Sequence, residues 1–365
     1  MNITLKTLTP LWTGGVDQTS DRLHETGLIG SLRWWYEVIV RGLGGDVCDP
    51  TSDNLEHRCQ FDAKAYEKTK NVEDGLIGVC PVCRLFGCTS WKRRFELQAS
   101  ATRSEPFWLA TNDKQGGFNH WWLSKIYKSG NSHVAFGELM LIFRWMRGYE
   151  SQHEIMKALL SLVSQLGAIG AKPQYGFGIV HNESSISAIE GLAIVRQNII
   201  EPGPKKALSG AYPSLRDYWL LQCIVPEQDA NSQFAALNVV GDLQTFRKYQ
   251  SLLLPVSFDI RYKLPGSNEM GLRQSYRLKH GKMPTRRVFG TLKGSERDKR
   301  ASTVFVSHLY KKNEAETGYH LRVWGFTNSD TAREIEASLK SMFSHIKVDR
   351  KIIGTELLDG REVSV

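Results

Sequence analysis

The first residues of the chain follow the hydrophobic pattern of a strand and then that of a helix. Ile3 and Leu5 share one face of a strand at the N-terminus. A helix is predicted after the turn at 12–15, because its apolar residues form one stripe of a 3.6-residue period. These residues are Leu28, Leu32, Trp35, Tyr36 and Ile39. Glycines at 42, 44 and 45 then end the helix.

The rest of the first half continues this alternation. Strand-like stretches return at 95–99 and 139–145. A second helix is indicated by the apolar positions Ile155, Leu159, Leu162, Val163 and Leu166. Beyond Gly167, a glycine-rich loop at 170–178 runs into a strand. The order strand, helix, two strands, helix, strand predicts a ferredoxin-like unit.

The second half repeats this order less cleanly. Strands are predicted at 219–225, 256–264, 303–309 and 319–323, and helices at 242–250 and 331–343. The stretch 201–213 contains three prolines and no periodicity, as expected of a linker between domains. We therefore predict an α+β protein of two tandem ferredoxin-like (RRM-like) domains, at 1–200 and 214–365.

Two fragments favour an internal duplication. A Phe-Gly turn at 86–87 is followed by the basic residues at 92–94, and a second Phe-Gly turn at 289–290 is followed by Lys299 and Arg300. In both fragments the basic residues come shortly before a predicted strand. The similarity between the two fragments predicts that they occupy equivalent positions in the two domains.

Length and composition are those of a globular protein. The chain has 365 residues, of which 41% are hydrophobic and 23% charged, so each half is long enough to bury its own core. The sequence contains no run of about 18 apolar residues that could span a membrane. Its first residues lack the layout of a secretory signal, and we expect a cytoplasmic protein.

The positive charge of the chain is concentrated in one segment. The formal net charge is +9, and 273–300 alone contains ten lysines or arginines against two acidic residues. Tyr276 and several glycines lie between these cations, a pattern that suits a groove along a nucleic-acid backbone. A solvated surface is the alternative interpretation of such a segment.

Five of the six cysteines lie between Cys48 and Cys88, in a polar region at about 46–84 that reads as an insertion into the first domain. Cys80 and Cys83 have the two-residue spacing with which a tight turn holds zinc. We predict that Cys48 and Cys59 complete a structural zinc site, because a metal would stabilise an insertion with little apolar content. His57 or Cys88 could replace one ligand, and thiols without a metal are the alternative to the whole site.

Four motifs occur in order along the chain. They are TPLWTGG at 9–15, GSLRWWY at 30–36, CPVCRLFG at 80–87, and GAIGAK with YGFG at 167–172 and 175–178. With these motifs the chain resembles the RAMP superfamily of CRISPR proteins, and most of all the first subunits of type III-B Cmr effector complexes. The resemblance is strong over about 1–185 and depends mainly on 287–305 in the second half.

This resemblance implies a non-catalytic subunit at the head end of the effector complex. The subunit would contact crRNA, target RNA or both, and its protein partners would be the other RAMP subunits. No membrane partner is expected. The predicted RNA-binding residues are Gly14, Gly15, Arg33, Arg93, Arg94, Lys172, Tyr175, Gly176, Phe177, Gly178, Arg286, Arg287, Lys299 and Arg300. In the glycine-rich loop, glycines would let the backbone approach a phosphate, and the aromatic rings could stack on bases. The same loop could instead be a tight helix-to-strand connection with aromatic core residues.

The sequence leaves two other functions open. His24 precedes the first helix, and some RAMP relatives use a histidine in ribonuclease chemistry. Asp17 and Asp21 fall near the position where another RAMP subunit carries a catalytic aspartate, but the surrounding residues match that subunit poorly. The remaining alternative is a zinc-stabilised scaffold that contacts only protein, which the basic charge argues against.

Overall fold

A computed structural model describes residues 1–15, 19–106, 133–199, 212–230, 252–254, 256–262, 270–291 and 299–361. Within these residues the chain has a mixed α/β fold with two antiparallel sheets, as the sequence predicted at this level. No helix among them is both long and apolar enough to cross a bilayer.

The first half is built on a four-stranded sheet. Its strands are β1 (Asn2–Thr7), β2 (Phe95–Pro106), β3 (His133–Trp145) and β4 (Val180–Asn182). Their order across the sheet is β2-β3-β1-β4, and every neighbouring pair is antiparallel. The helices are α1 (Glu25–Gly42), α2 (Ala63–Thr69), α3 (Val72–Gly75), α4 (Pro81–Phe86), α5 (His153–Leu166) and α6 (Ala188–Gln197).

Helices α1 and α5 lie where the apolar stripes predicted them. Leu32 of α1, Leu162 of α5 and Leu5 of β1 belong to one buried cluster. Helix α6 was not predicted, although Ser187 and Glu190 form a capping box at its start. The insertion predicted at 46–84 contains the short helices α2, α3 and α4.

The second half contains a second antiparallel sheet. Its strands are β5 (Tyr218–Pro226), β6 (Leu253–Leu254), β7 (Val304–Val306), β8 (Leu309–Tyr310), β9 (Gly318–Phe326) and β10 (Lys347–Ile353). They run in the order β10-β5-β9-β8-β6, and β7 also pairs with β9. The helices are α7 (Ser257–Arg261), α8 (Leu272–His280), α9 (Lys282–Phe289), α10 (Ser329–Met342) and α11 (Gly354–Leu358).

One predicted element of the second half was wrong. The stretch 256–264 was predicted to be a strand, but Ser257–Arg261 forms the short helix α7. Much of the basic segment, for which no secondary structure was predicted, forms the consecutive helices α8 and α9. The predicted helix at 242–250, and the linker apart from its last two residues, lie outside the described residues.

Each half has a buried cluster, and the cluster of the first half extends into the second. One buried cluster contains Leu162 of the first half together with Trp324 of the second. The carbonyl groups at the end of α5 accept hydrogen bonds from the second half: Arg322 Nη1 donates to Ser164 O at 2.7 Å, and the Tyr218 hydroxyl donates to Leu166 O. These bonds satisfy helix-end carbonyls that would otherwise be buried without partners.

The two Phe-Gly turns have the same local form. Helix α4 ends at Phe86 and is followed by Gly87 with φ +91°, and α9 ends at Phe289 and is followed by Gly290 with φ +73°. In each case a Cβ on the glycine would lie within 3.0 Å of the backbone that leads into the next strand. Because L-residues rarely adopt this φ, both turns require glycine.

Candidate nucleic-acid interface and metal centre

The four cysteines predicted to bind a metal come together. The sulfurs of Cys48, Cys59, Cys80 and Cys83 all lie within 4.8 Å of one another, and each residue is buried. The Cys48 and Cys83 sulfurs are 3.4 Å apart. A tetrahedral zinc site with Zn–S distances of about 2.3 Å needs S···S separations of about 3.8 Å, so the donor set fits this metal.

Local structure positions the four sulfurs. Cys80 is the N-cap of α4, which brings Cys83 onto the first turn of that helix. The Cys80 N–H donates to the Cys59 sulfur at 3.2 Å. Hydrogen bonds among the thiols shift their pKa values in opposite directions. Bonds with Cys48 lower the pKa of Cys59 and lower that of Cys80 to about 7, whereas the bond with Cys59 raises the pKa of Cys48 and the bond with Cys48 raises that of Cys83. Metal binds the thiolate form, so a bound ion would displace the protons that Cys48 and Cys83 hold.

Neither alternative ligand belongs to this set, although the Cys88 thiol interacts with that of Cys83. The His57 ring is within hydrogen-bond distance of Ser52 Oγ and Asn54 Nδ2 instead. Cys88 is partly exposed and is not a member of the four-sulfur group. The arrangement therefore favours four cysteines without a histidine.

Arg33, predicted to contact RNA, faces the cysteine cluster. Its guanidinium donates to the Cys83 sulfur at 3.1 Å, to Gly87 O at 2.8 Å and to Glu37 Oε1 at 3.0 Å. Only 20% of its side chain is exposed. Because each of its three nitrogens donates to a protein partner, Arg33 is held within the protein in this structure.

The glycines of the 170–178 loop are required by contacts within the protein. At Gly178, with φ +84°, a Cβ would lie 1.9 Å from Ile169 O. At Gly176, with φ +93°, it would lie 2.8 Å from the His308 ring. The close approach that these glycines permit is to the protein's own backbone and to a buried histidine, and their contact with a phosphate stays a prediction.

The two aromatic residues of this loop are core residues. Phe177 is fully buried and packs edge-on against Trp12 at 5.6 Å. Tyr175 is 7% exposed and stacks on Phe258 at 5.0 Å with an interplanar angle of 9°. The prediction that these rings stack on bases is corrected, because neither ring presents a face to solvent. The alternative interpretation, aromatic residues within a tight connection, describes both side chains.

The outer part of the loop is more accessible. Lys172 adopts φ +60°, and its Nζ lies 3.6 Å from the centre of the Trp12 ring. The Gly14 and Gly15 turn lies near it, since Trp12 O accepts a hydrogen bond from the Ala171 N–H at 2.7 Å. A Cβ at Gly14 would meet no atom within 4 Å, so this turn has open space beside it.

The basic segment lies beside this loop. We call helices α8 and α9, Leu272–Phe289, the basic hairpin. Its Arg273 lies 5.7 Å from the centre of the Tyr262 ring, and Tyr262 stacks on Phe258, which in turn stacks on Tyr175 of the loop. The fold thus connects the loop and the hairpin, about 100 residues apart in sequence, through a column of three rings.

The hairpin exposes most of its cations. Arg277, Lys279, Lys282 and Arg287 are exposed, whereas Arg286 is half-buried. Lys299 and Arg300, which precede β7, are also exposed. Tyr262 and Arg273 were not among the predicted site residues, because 256–264 was interpreted as a strand. The signal that could have found them is the sequence Arg261-Tyr262-Lys263 just before the basic segment.

The two arginines before β2 have different environments. The Arg94 guanidinium lies 3.1 Å from the centre of the Trp91 ring and 4.8 Å from that of Tyr149, and burial lowers its pKa. Arg93 is half-buried, and its Nε donates to Phe95 O. The neighbouring Lys92 is exposed. Arg94 therefore stabilises an aromatic cluster, and Lys92 is the more accessible cation.

The residues considered for nuclease chemistry form a helix-start contact. His24 is the N-cap residue of α1, and its Nε2 lies 2.7 Å from Asp21 Oδ1. The His24 side chain is 12% exposed, whereas that of Asp21 is 58% exposed. Asp17 lies outside the described residues. Within the described part of the chain, this pair resembles a structural contact more than an acid and base poised over a substrate.

Three solved structures include chains that resemble this one at low identity. A solved structure of Cmr1 from Pyrococcus furiosus in its apo form is similar at a TM-score of 0.47 and 12% identity, over 95% of this chain and 97% of that chain. Two cryo-EM structures of the type III-B Cmr-beta complex bound to cognate target RNA include similar chains. Their TM-scores are 0.40 and 0.37 and their identities 10% and 12%, over 93% of this chain and 98% of each matched chain.

No curated protein matches the sequence. The family model described as the RAMP superfamily matches residues 4–181, a region that contains all four motifs. Residues 4–181, just under half of the chain, thus form a region of the RAMP superfamily.

Proposed function

We propose that the chain is a non-catalytic, RNA-binding subunit of a type III-B CRISPR effector complex, contacting crRNA, target RNA or both. Its partners would be the other RAMP subunits of that complex. The family membership and the four ordered motifs support the assignment to a CRISPR complex. The RNA-binding role depends on the surface described above.

One observation carries this proposal: the glycine-rich loop and the basic hairpin adjoin each other. The Lys172 carbonyl accepts a hydrogen bond from the Tyr175 N–H at one end of the ring column, and Arg273 lies over Tyr262 at the other. We infer that RNA follows the surface from Lys172 and the open turn at Gly14 to the half-exposed Tyr262 ring and the exposed Arg277, past the buried rings of Tyr175 and Phe258. Cations that follow a backbone, with an aromatic ring among them, suit a single-stranded RNA.

We further propose that both halves are ferredoxin-like domains, at 1–200 and 214–365. The first sheet has the strand order β4-β1-β3-β2 when read from its other edge. The second has β10, β5 and β9 in the corresponding places, with β7 paired to β9. Matching strand orders and matching Phe-Gly turns support a duplicated β-α-β-β-α-β unit.

The cysteine cluster is proposed to be a structural zinc site. Four buried thiols fit a closed site, whereas a catalytic zinc keeps a position for water or substrate. The site holds α4 against the loop that contains Cys48 and Cys59. Zinc would therefore stabilise the insertion and would take no part in a reaction.

The proposal is tested by measuring RNA affinity against salt concentration. The probe is a single-stranded RNA with the host's CRISPR repeat sequence. The double variant Arg277→Glu/Arg287→Glu reverses two exposed cations of the basic hairpin. Its matched control, Lys64→Glu/Lys68→Glu, changes the net charge equally on the exposed face of α2.

For the hairpin variant we expect weaker RNA binding. The slope of log affinity against log salt concentration should be shallower by about 1 to 2, because two phosphate contacts are lost. The α2 variant should bind as the unchanged protein does. Equal effects of both variants would contradict a localised site. Cleavage of the RNA that is abolished by His24→Ala would favour the nuclease function instead.

A further inference from the structure

The side chain of Arg33 connects α1 to the cysteine cluster. One guanidinium nitrogen donates to the Cys83 sulfur, and another donates to Gly87 O, just beyond the CPVC motif. The third, Nε, donates to Glu37 Oε1 one turn later on α1. All three nitrogens are therefore oriented by protein partners, and one of them touches a proposed metal ligand.

A second arginine holds Glu37 in place. Arg41 Nη2 donates to Glu37 Oε2 at 3.3 Å, so the carboxylate lies between two guanidinium groups. The side chain of Glu37 is 11% exposed and that of Arg41 is 16% exposed. The ion pairs of Glu37 with Arg33 and Arg41 along α1 hold the Arg33 guanidinium in the position from which it donates to the Cys83 sulfur.

A cation beside a tetrathiolate site would offset part of the negative charge of that site. Four thiolates around one Zn²⁺ carry a net charge of about −2, and uncompensated charge is costly in a buried environment. The Cys59 sulfur receives the Cys80 N–H, which is a neutral donor. Arg33 supplies a full positive charge at Cys83.

We propose that Arg33 is a positioning residue for the metal: it offsets one of the surplus negative charges and fixes the Cys83 thiolate relative to α1. This inference depends on the zinc site of the proposed function. Groups that contact metal ligands from outside commonly change metal affinity by about tenfold to a hundredfold. They also alter the electron density on the ligand that they contact.

The test uses the full chain loaded with Co²⁺, whose thiolate-to-cobalt charge-transfer band reports on the sulfurs. Arg33→Met removes the charge and the donors but keeps an unbranched side chain. The matched control is Arg84→Met. Arg84 lies in the same insertion and is 18% exposed, but it donates to Val79 O, Leu76 O and Glu73 and contacts no sulfur among its described hydrogen bonds.

For Arg33→Met we expect Co²⁺ affinity to fall by about tenfold to a hundredfold, with a shifted charge-transfer band. Arg84→Met should leave the band in place even if it lowers stability. If Arg33→Met does not fold, the same charge-transfer band is measured in Arg33→Lys. A lysine keeps the positive charge but loses the planar pair of donors.

The outcomes separate this inference from the zinc proposal. If the wild-type protein loaded with Co²⁺ does not show the spectrum of tetrahedral thiolate coordination, both the zinc site and the role of Arg33 are overturned. Normal loading of the unchanged protein, with an unaltered band and affinity in the Arg33 variants, would overturn the role of Arg33 alone. A band shift of the same size in Arg84→Met would also overturn it.

Discussion

Replacing Gly178 with alanine tests whether the glycine-rich loop is shaped by internal packing. The new Cβ would lie 1.9 Å from Ile169 O, at a φ of +84°. Positive φ costs an L-residue about 1–2 kcal/mol, and forced overpacking costs about 1–3 kcal/mol. The hydrogen bond from the Ile169 N–H to Gly178 O, at 2.9 Å, would also be disturbed. We expect the free energy of unfolding to decrease by about 2 to 5 kcal/mol.

The measurement is urea unfolding of the full chain, followed by tryptophan fluorescence and circular dichroism. The matched control is Gly14→Ala, since a Cβ there meets no atom within 4 Å. This control should change the free energy of unfolding by less than about 0.5 kcal/mol, while weakening RNA binding. If Gly178→Ala is as stable as the unchanged protein, the packing explanation for the loop is refuted.

Three further predictions concern single side chains. Phe177→Ala should lower the free energy of unfolding by about 3–5 kcal/mol and leave the RNA affinity of the folded protein unchanged, because the ring is fully buried; reduced affinity in the folded fraction would restore the stacking hypothesis. Arg94→Met should cost about 1 kcal/mol of stability through its contact with Trp91, whereas Lys92→Met should not, as urea unfolding will report. Burial lowers the pKa of Lys172 to about 8. The Lys172 charge is therefore present below that pH, and RNA affinity at constant salt should fall as the pH rises through about 8. Lys172→Arg should not show this fall. An identical pH profile in both proteins would exclude the Lys172 contact.

The sign of the stability effect at Lys172 is opposite to that of RNA binding. The lowered pKa means that the folded protein binds its proton less tightly than the unfolded chain does. The charged form therefore opposes folding below about pH 8. That penalty is relieved as the pH rises from about 8 toward the unperturbed value of 10.5.

Much of the fold could be predicted from the sequence where periodicity was strong. The apolar stripes of α1 and α5 extend over several turns, and both helices lie within two or three residues of the predicted positions. The helix at Ser257–Arg261 is short, and its sequence Ser-Phe-Asp-Ile-Arg alternates as a strand does. Its buried Arg261 donates to Val304 O and Phe289 O, contacts that no local pattern contains.

The candidate site was predictable in its residue types but less so in their roles. The CPVC spacing indicated two of the candidate metal ligands, and all four cysteines lie together as predicted. By contrast, Arg33, Arg94, Tyr175 and Phe177 have the composition of an RNA site but are held within the protein. Their burial depends on contacts with distant residues, such as Gly87 with Arg33 and Phe258 with Tyr175, which sequence position does not reveal.

The most direct test of the central claim is RNA–protein cross-linking on the complex purified from its native host, with the cross-linked residues identified by mass spectrometry. We predict cross-links at Tyr262 and Tyr276 and at the turn containing Gly14, on RNA that includes CRISPR repeat sequence. Cross-links confined to the open face of the first sheet, around Thr4 and Met140, would contradict an RNA path along the loop and the basic hairpin.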